Sequence, residues 1–268
     1  MSETIKSAKN EKLKLVRRLA ERRAREREGM FVTEGEDLLE AGLAAGFEPV
    51  ELLTAAGSGI GGDEVEAELL AGVSGLGSGT RAIAIWEIPS SASKVPGGEG
   101  ERPDSATSSP ARNAAYLYLH GVGDPGNVGA IIRTTAALLD TPTVLGPGCA
   151  DAYGAKAVRA TMGAIFTQPP IQALIAETPE PRIALIAHGG EDLDAALSGA
   201  GDSAATICLG SEREGLPPEV LVSCQRTATI PVQPGTESLN VAAAAAIACQ
   251  RISSIGAEPI AEGARPSA

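Results

Sequence analysis

Apolar residues recur at helical spacing near the N-terminus and in short strand-like runs further along the chain. Residues 9–28 predict one helix, because Leu13, Val16, Leu19 and Ala20 stand at helical spacing among Lys and Arg. Further strands are expected over 31–35, 49–54 and 80–88, with helices over 37–45 and 64–71. The first 90 residues therefore predict a small α/β unit.

From residue 115 the pattern changes to strands that alternate with helices. Strands are predicted over 116–120, 143–145, 182–187, 205–209 and 227–230, and a short edge segment over 166–169. Helices are predicted over 127–139, 155–162, 171–176 and 217–222, and from 241 onward. Such alternation is typical of a parallel sheet with helices on both faces. Ligands bind at the carboxyl ends of such strands, which points to the loops after His120, Leu209 and Ile230.

A change in composition separates the two units. Residues 89–112 are rich in Ser, Gly, Pro and Glu and poor in apolar side chains. We therefore expect an N-terminal domain over 1–90, a flexible linker over 91–112, a larger domain over 113–255 and a disordered tail over 256–268.

Composition narrows the function classes. The chain has 268 residues, of which 43% are hydrophobic, as expected of a globular protein. Only seven residues are aromatic, so stacking of bases on aromatic platforms is not its main means of recognition. The four cysteines lie far apart and the two histidines share no short spacing, so no metal site or disulfide framework is expected. No apolar run reaches membrane length and the N-terminus is charged, so a cytoplasmic protein with no membrane partner is predicted.

Charge is distributed unevenly along the chain. Residues 1–28 carry a balance of +5 and the other 240 residues a balance of −17. The basic end predicts either a solvated helix or a surface that contacts RNA phosphates. Six residues are the candidates for the second possibility: Lys9, Lys12, Arg17, Arg18, Arg22 and Arg23.

The loop after the predicted strand at 116–120 contains glycines at 121, 123 and 126. This spacing matches a dinucleotide fingerprint, which also requires an acidic residue at the end of the next strand. Asp140 has roughly the right separation but precedes that strand. Asn127 and Arg133, in the helix that follows, are predicted to reach the same cleft; alone they would be a cap residue and a surface arginine.

Two more loops follow predicted strands. Gly210 and Ser211 expose backbone N–H groups beside the carboxylate of Glu212, although an ordinary polar turn has the same composition. Ser238 and Asn240 can each accept a backbone N–H at the start of a helix with five consecutive alanines. These small side chains let another backbone approach closely. Together the elements predict a pocket lined largely by main chain.

Three segments at these loops carry a family resemblance. They read Asn127-Val-Gly-Ala-Ile-Ile-Arg133, Leu209-Gly-Ser-Glu212 and Ser238-Leu239-Asn240-Val241. In this order and spacing the chain resembles the SpoU (TrmH-type) family of RNA 2′-O-ribose methyltransferases, of the SPOUT class. The resemblance covers roughly residues 8–252. The N-terminal unit is similar to the ribosomal-protein-like substrate-binding domain found on many members. One departure is His120, which stands where the motif usually begins with an acidic residue.

The resemblance implies a fold, a cofactor and partners. The fold is an α/β parallel-sheet catalytic domain with a C-terminal trefoil knot, against which S-adenosylmethionine binds, and two subunits pair as a homodimer through this domain. The implied reaction transfers a methyl group to a ribose 2′-hydroxyl of RNA without a metal. Large-subunit rRNA is favoured over tRNA because of the N-terminal unit. The alternatives are an NAD-dependent oxidoreductase and an RNA-binding protein without activity.

The resemblance also assigns site residues. Arg133 is the catalytic residue. Because a guanidinium loses its proton only above about pH 12, we expect it to stabilise charge and hold a phosphate instead of acting as a base. Asn127 and Glu212 would orient the arginine and the ribose, with Asn240 and Ser238 in support. The implied cofactor-binding residues are Gly189, Leu209, Gly210, Ser211, Ile230 and Leu239.

Overall fold

The structure is a computed structural model that describes residues 4–75, 79–89, 115–199 and 204–256. The predicted linker at 91–112 lies outside these residues. So does the predicted tail apart from Gly256, which ends the last helix instead of beginning a tail.

The N-terminal unit is a four-stranded sheet with helices packed against it. Its strands follow the order β1-β4-β2-β3, in which β4 pairs antiparallel with both β1 and β2. The elements are α1 (Glu11–Leu19), α2 (Arg22–Glu28), β1 (Met30–Glu34), α3 (Glu36–Ala44), β2 (Glu51–Ala55), β3 (Asp63–Val65), α4 (Ala67–Ala71) and β4 (Ala82–Glu87).

Two predictions for this unit are wrong. The single helix over 9–28 is two helices, because Glu21 takes an extended conformation between them. The guanidinium of Arg25 then donates to the carbonyls of Leu19 and Ala20, at 2.6 and 2.7 Å, which satisfies the end of α1. The helix expected from residue 64 begins only at Ala67, since residues 63–65 form β3 against β2.

The second unit is a parallel seven-stranded sheet, as the alternating pattern predicted. Its order is β7-β6-β5-β10-β8-β11-β9, and every neighbouring pair is parallel. The strands are β5 (Ala115–Leu119), β6 (Val144–Leu145), β7 (Ile171–Gln172), β8 (Arg182–Leu185), β9 (Glu191–Asp192), β10 (Ala205–Leu209) and β11 (Arg226–Thr229). The helices are α5 (Pro125–Leu138), α6 (Ala155–Thr161), α7 (Ala164–Thr167), α8 (Leu193–Ser198), α9 (Pro218–Val222) and α10 (Val241–Gly256).

Two short segments were assigned wrongly from the sequence. Residues 166–169 were expected as an edge segment, but the first two of them belong to α7, which ends at Thr167. Residues 171–176 were expected as a helix and instead form β7 and the start of a 3₁₀ turn, Ile175–Glu177. Strand pairing decides this region, because Ile171 and Ala173 donate to the carbonyls of Thr143 and Leu145. The pattern of hydrophobic and polar residues also failed to predict β9 and α8.

The two units share one hydrophobic core. Phe166 of α7 packs against Trp86 of β4 and Phe31 of β1, with ring centroids 4.9 and 5.6 Å apart, and Tyr153 contacts Phe31 at 5.2 Å. These contacts bury large aromatic area between the units. The N-terminal unit is therefore held firmly against the sheet that carries the candidate site.

None of the helices within the described ranges has the length and apolar character needed to cross a membrane.

Candidate active site at the carboxyl end of the sheet

Three loops meet at one edge of the parallel sheet. They follow β5, β10 and β11 and cover residues 120–124, 210–217 and 230–240. Because β5 pairs directly with β10, and β8 joins β10 to β11, the ends of these strands lie at the same edge. The sequence prediction that the three motifs converge is confirmed in this respect.

A chain of hydrogen bonds joins one residue from each motif. Asn127 Nδ2 donates to Glu212 Oε1 at 2.5 Å. Asn240 Nδ2 donates in turn to Asn127 Oδ1 at 3.2 Å. Glu212 and Asn240 are exposed and Asn127 is half-buried, so the network lies at the surface of the site, where a substrate can reach it.

Asn240 is fixed in place by the helix it begins. Its Oδ1 accepts the backbone N–H groups of Ala242 and Ala243 at 2.9 and 3.2 Å, so it caps α10. With the oxygen used in this way, the amide NH₂ is turned toward Asn127. One residue thus both starts the helix and orients the network.

Asp124 performs the corresponding task for α5. It accepts the backbone N–H of Asn127 at 3.0 Å as the N-cap, and Pro125 follows at the first helical position. Its other oxygen pairs with Lys156 Nζ at 2.7 Å. The Lys156 ammonium and the backbone N–H of Asn127 together lower the pKa of Asp124 below its usual value. Asp124 was not among the predicted site residues, although Asp-Pro before a helix is itself a capping signal.

A cleft of about 580 Å³ lies beside this network. Five predicted cofactor-binding residues line it together with Glu212 and Ser238: Leu209, Gly210, Ser211, Ile230 and Leu239. The sixth, Gly189, is not among the lining residues, whereas its neighbours Ala187 and His188 are. Three further lining residues were not predicted from the sequence, because they belong to no motif: His188, Val232 and Glu237.

Gly210 is required by close packing within its loop. A Cβ atom at this position would stand 2.1 Å from the carbonyl carbon of Gly215 and 2.3 Å from the nitrogen of Leu216. The loop folds back on itself here, and Ser211 and Gly215 exchange backbone hydrogen bonds at 3.1 and 3.0 Å. The wall of the cleft at this point is consequently main chain.

Arg133 lies apart from the network. It is exposed on α5 and makes no hydrogen bond or ion pair with any described residue, and it does not line the cleft. Six residues along a helix correspond to about 9 Å of rise from Asn127. The structure therefore brings Asn127, Glu212 and Asn240 together, whereas the guanidinium of Arg133 contacts none of the described polar groups.

In the described ranges, no group of three or more His, Cys, Asp or Glu side chains is arranged to hold a metal ion.

Comparison with known proteins identifies the family. Residues 114–250 match the SpoU rRNA Methylase family, which is just over half of the chain. The chain belongs to the SpoU rRNA methylase family. The recognition made from the three sequence motifs is confirmed.

Two relatives match different shares of the chain. An uncharacterized tRNA/rRNA methyltransferase of Mycobacterium tuberculosis is 34% identical over 147 residues, which are 52% of this chain and 50% of that protein. The chain thus matches about half the length of this relative. The 23S rRNA (guanosine(2553)-2′-O)-methyltransferase RlmP of Bacillus subtilis is 29% identical over 91% of this chain and 96% of its own.

A solved SpoU structure shares the fold. The methyltransferase AviRb from Streptomyces viridochromogenes, in complex with the cofactor AdoMet, aligns with a TM-score of 0.75 at 20% identity. The alignment covers 92% of this chain and 98% of AviRb, so it includes both the N-terminal unit and the parallel sheet.

The N-terminal unit has a match of its own. Residues 10–76 match the MRM3-like substrate binding domain, and this range includes α1 and α2 of the chain. Four of the six predicted RNA-contacting residues are exposed arginines of these helices: Arg17, Arg18, Arg22 and Arg23. Lys9 is also exposed. Two of these arginines have partners on the surface, since Arg18 pairs with Glu28 at 3.5 Å and Arg22 pairs with Glu26 at 2.8 Å. Lys12 is only partly exposed, and its ammonium is paired with Glu51 at 2.5 Å and with Asp63.

Proposed function

We propose that this protein transfers a methyl group from S-adenosylmethionine to a ribose 2′-hydroxyl of RNA. The observation that carries the proposal is the network of Asn127, Glu212 and Asn240 at the mouth of a main-chain-lined cleft. Family membership and the reaction named for RlmP support the same chemistry.

The cleft fits the proposed cofactor. Its volume of about 580 Å³ lies within the range of small-molecule sites. Leu209, Ile230 and Leu239 offer apolar surface to a flat adenine ring, and the main chain around Gly210 offers N–H and C=O groups to its edges. AviRb, which has this fold, is solved with AdoMet bound.

The main task of the protein in this reaction is to position the two reactants. S-adenosylmethionine supplies a methyl group already activated by a positively charged sulfur. The residues around the cleft must hold a poorly acidic hydroxyl in line with that methyl group. Glu212 can accept a hydrogen bond from the ribose, and Asn127 holds its carboxylate in one orientation.

We assign two roles to Arg133: it stabilises the negative charge that develops on the ribose 2′-oxygen, and it holds a neighbouring phosphate. Its guanidinium has no partner among the described residues and is therefore available to substrate. A permanently charged group of this kind stabilises an incipient alkoxide without itself losing a proton. We expect Arg133→Ala to lower methyl transfer at least tenfold, while the affinity for S-adenosylmethionine measured by calorimetry stays within threefold. Near-normal turnover would contradict this role.

The α5 N-terminus argues against the nicotinamide alternative. In a dinucleotide site the helix N–H groups face a pyrophosphate. Here the Asp124 carboxylate already accepts the N–H of Asn127 and places negative charge where the pyrophosphate would lie. Asp140 precedes β6 instead of ending it.

We propose that the substrate is large-subunit rRNA and that the N-terminal unit binds it. The exposed arginines of α1 and α2 would supply phosphate affinity that depends little on sequence. Two-domain organisation with a linker over 91–112, a C-terminal trefoil knot, a homodimer formed through the catalytic domain and a cytoplasmic location belong to the same proposal. They follow from the family resemblance and the composition of the chain.

Two assays test the proposed function. Calorimetric titrations with S-adenosylmethionine and with NAD separate the methyltransferase from the oxidoreductase, and only the first should bind. Transfer of a tritiated methyl group should then occur to 23S rRNA and not to tRNA. Binding of NAD, or absence of labelled RNA, would contradict the proposal, and label in tRNA alone would overturn the choice of substrate.

A further inference from the structure

A buried tyrosine holds the histidine that begins the first loop. Tyr118 Oη lies 3.3 Å from His120 Nδ1, and the side chain of Tyr118 is fully buried while His120 is half-buried. Gly146 makes room for the hydroxyl, because a Cβ atom there would stand 2.2 Å from Tyr118 Oη. The pair is thus built into the packing between β5 and the loop after β6.

The tautomer of His120 decides the direction of this hydrogen bond. Desolvation raises the pKa of Tyr118 well above its usual value, so the hydroxyl keeps its proton at any physiological pH. With the proton of the neutral imidazole on Nε2, Tyr118 donates to Nδ1 of His120, and this tautomer is the one assumed below.

Nε2 of His120 has no partner among the described residues, although it lies beside a groove. The groove has a volume of about 980 Å³ and is lined on one side by His120, Gly121 and Asp124 and on the other by the loop that starts at Ser211. The same loop, residues 211–216, lines the cofactor cleft. The groove and the cleft thus meet at Ser211 and Glu212.

We propose that His120 is an RNA-binding residue of the methyl-acceptor side and that Tyr118 is its positioning residue. The inference rests on the proposed function and adds the location of the acceptor. The cofactor cleft and the groove share the 211–216 loop as lining, so a nucleotide in the groove can approach the methyl group past Glu212. His120 donates its Nε2–H to an acceptor oxygen of that nucleotide.

A neutral donor suits this groove. Asp124, Glu212 and Glu214 supply carboxylates, and Arg213 is the one permanent cation among the described residues that line the groove. These carboxylates repel an RNA oxygen that carries negative charge. Toward the ribose they can only accept hydrogen bonds and cannot donate them. An imidazole held with its N–H outward adds the donor that an oxygen of the sugar or phosphate requires.

The experiment measures RNA and cofactor separately in the full chain. In His120→Ala the KM for RNA should rise roughly three- to tenfold, as expected for the loss of one hydrogen bond, with the dissociation constant for S-adenosylmethionine unchanged. His120→Gln, which keeps a donor near the Nε2 position, should recover most of the loss. Binding of labelled RNA by anisotropy gives a second measurement that needs no turnover.

Tyr118→Phe tests the positioning role. It removes only the hydroxyl and should raise the KM for RNA by a smaller factor. Combined with His120→Ala it should add nothing, since both changes remove the same contact. Tyr116→Phe is the matched control, because Tyr116 is a buried tyrosine of the same strand whose hydroxyl makes no hydrogen bond to the described residues.

The outcomes separate this inference from the proposed function. An unchanged RNA affinity in His120→Ala, or additive effects in the double variant, would overturn the assignment. A wild-type protein that binds RNA but transfers no methyl group would overturn the proposed function, and the anisotropy comparison would still decide the role of His120.

Discussion

Asn127 and Glu212 lie 85 residues apart in sequence and are joined by a 2.5 Å hydrogen bond from Nδ2 to Oε1. The bond connects the start of α5 to the loop after β10 and holds the carboxylate at the mouth of the cleft. Asn240 closes the network from α10. Three loops are thereby fixed relative to one another at the point where the proposed acceptor meets the cofactor.

Asn127→Ala should therefore impair transfer more than cofactor binding. The change removes the donor to Glu212 and the acceptor of Asn240, and a hydrogen bond to a charged group contributes about 1.5–3 kcal/mol. We expect turnover to fall at least tenfold, with the dissociation constant for S-adenosylmethionine within threefold, as measured by methyl transfer and calorimetry. Asn10→Ala is the matched control, since Asn10 caps α1 in the N-terminal unit. Equal loss in both variants would contradict the role of Asn127.

Gly210→Ala should disrupt the cofactor wall. The new Cβ would overlap the main chain of Gly215 and Leu216, so the loop must move. We expect affinity for S-adenosylmethionine to fall at least tenfold by calorimetry. Gly123→Ala is the control, because a Cβ there meets only the carbonyl of Gly121 at 4.0 Å. Unchanged affinity in Gly210→Ala would show that this loop does not form the pocket.

Asp151→Ala should destabilise the contact between the two units. Arg25 is buried and donates to Asp151 at 2.9 Å from Nε and 2.5 Å from Nη2, so the substitution leaves a buried guanidinium without its counter-ion. Such a loss costs about 3–5 kcal/mol. Glu26→Ala, which breaks the exposed pair with Arg22, should cost about 0.5 kcal/mol or less. Urea unfolding compares the two, and similar small losses would show that Arg25 is not held by Asp151.

The Asp124–Lys156 pair should contribute stability that depends on pH. Because the folded-state pKa of Asp124 is lowered, its contribution is present above the unfolded pKa of about 3.9 and is lost as the pH falls below it. Asp124→Asn keeps a good N-cap but removes the charge. The wild type should therefore be the more stable protein at pH 7, and the difference in unfolding free energy should shrink toward pH 3. A difference independent of pH would exclude this ion pair as its cause.

The sequence was most informative where local chemistry and long-range structure agree. Alternating strands and helices predicted the parallel sheet, and the Ser-Leu-Asn start of α10 is a local capping signal that also faces the site. The hydrogen bond between Asn127 and Glu212 could not be derived from local pattern, since it depends on β5 and β10 being neighbours. β7 was misassigned because its pairing with β6 overrides the local pattern of Ile171 to Ala176. The shared aromatic core around Phe166 was likewise invisible in a sequence that places its partners 80 and more residues away.

The position of the transferred methyl group distinguishes ribose methylation from base methylation. RNA incubated with the wild-type protein and S-adenosylmethionine carrying a tritiated methyl group should be digested to nucleosides and separated by chromatography with mass detection. If the enzyme is a ribose methyltransferase, the label will appear in a single 2′-O-methylnucleoside. In Asn127→Ala this label should fall at least tenfold. Label in a base-methylated nucleoside, or none in any nucleoside, would contradict ribose methylation.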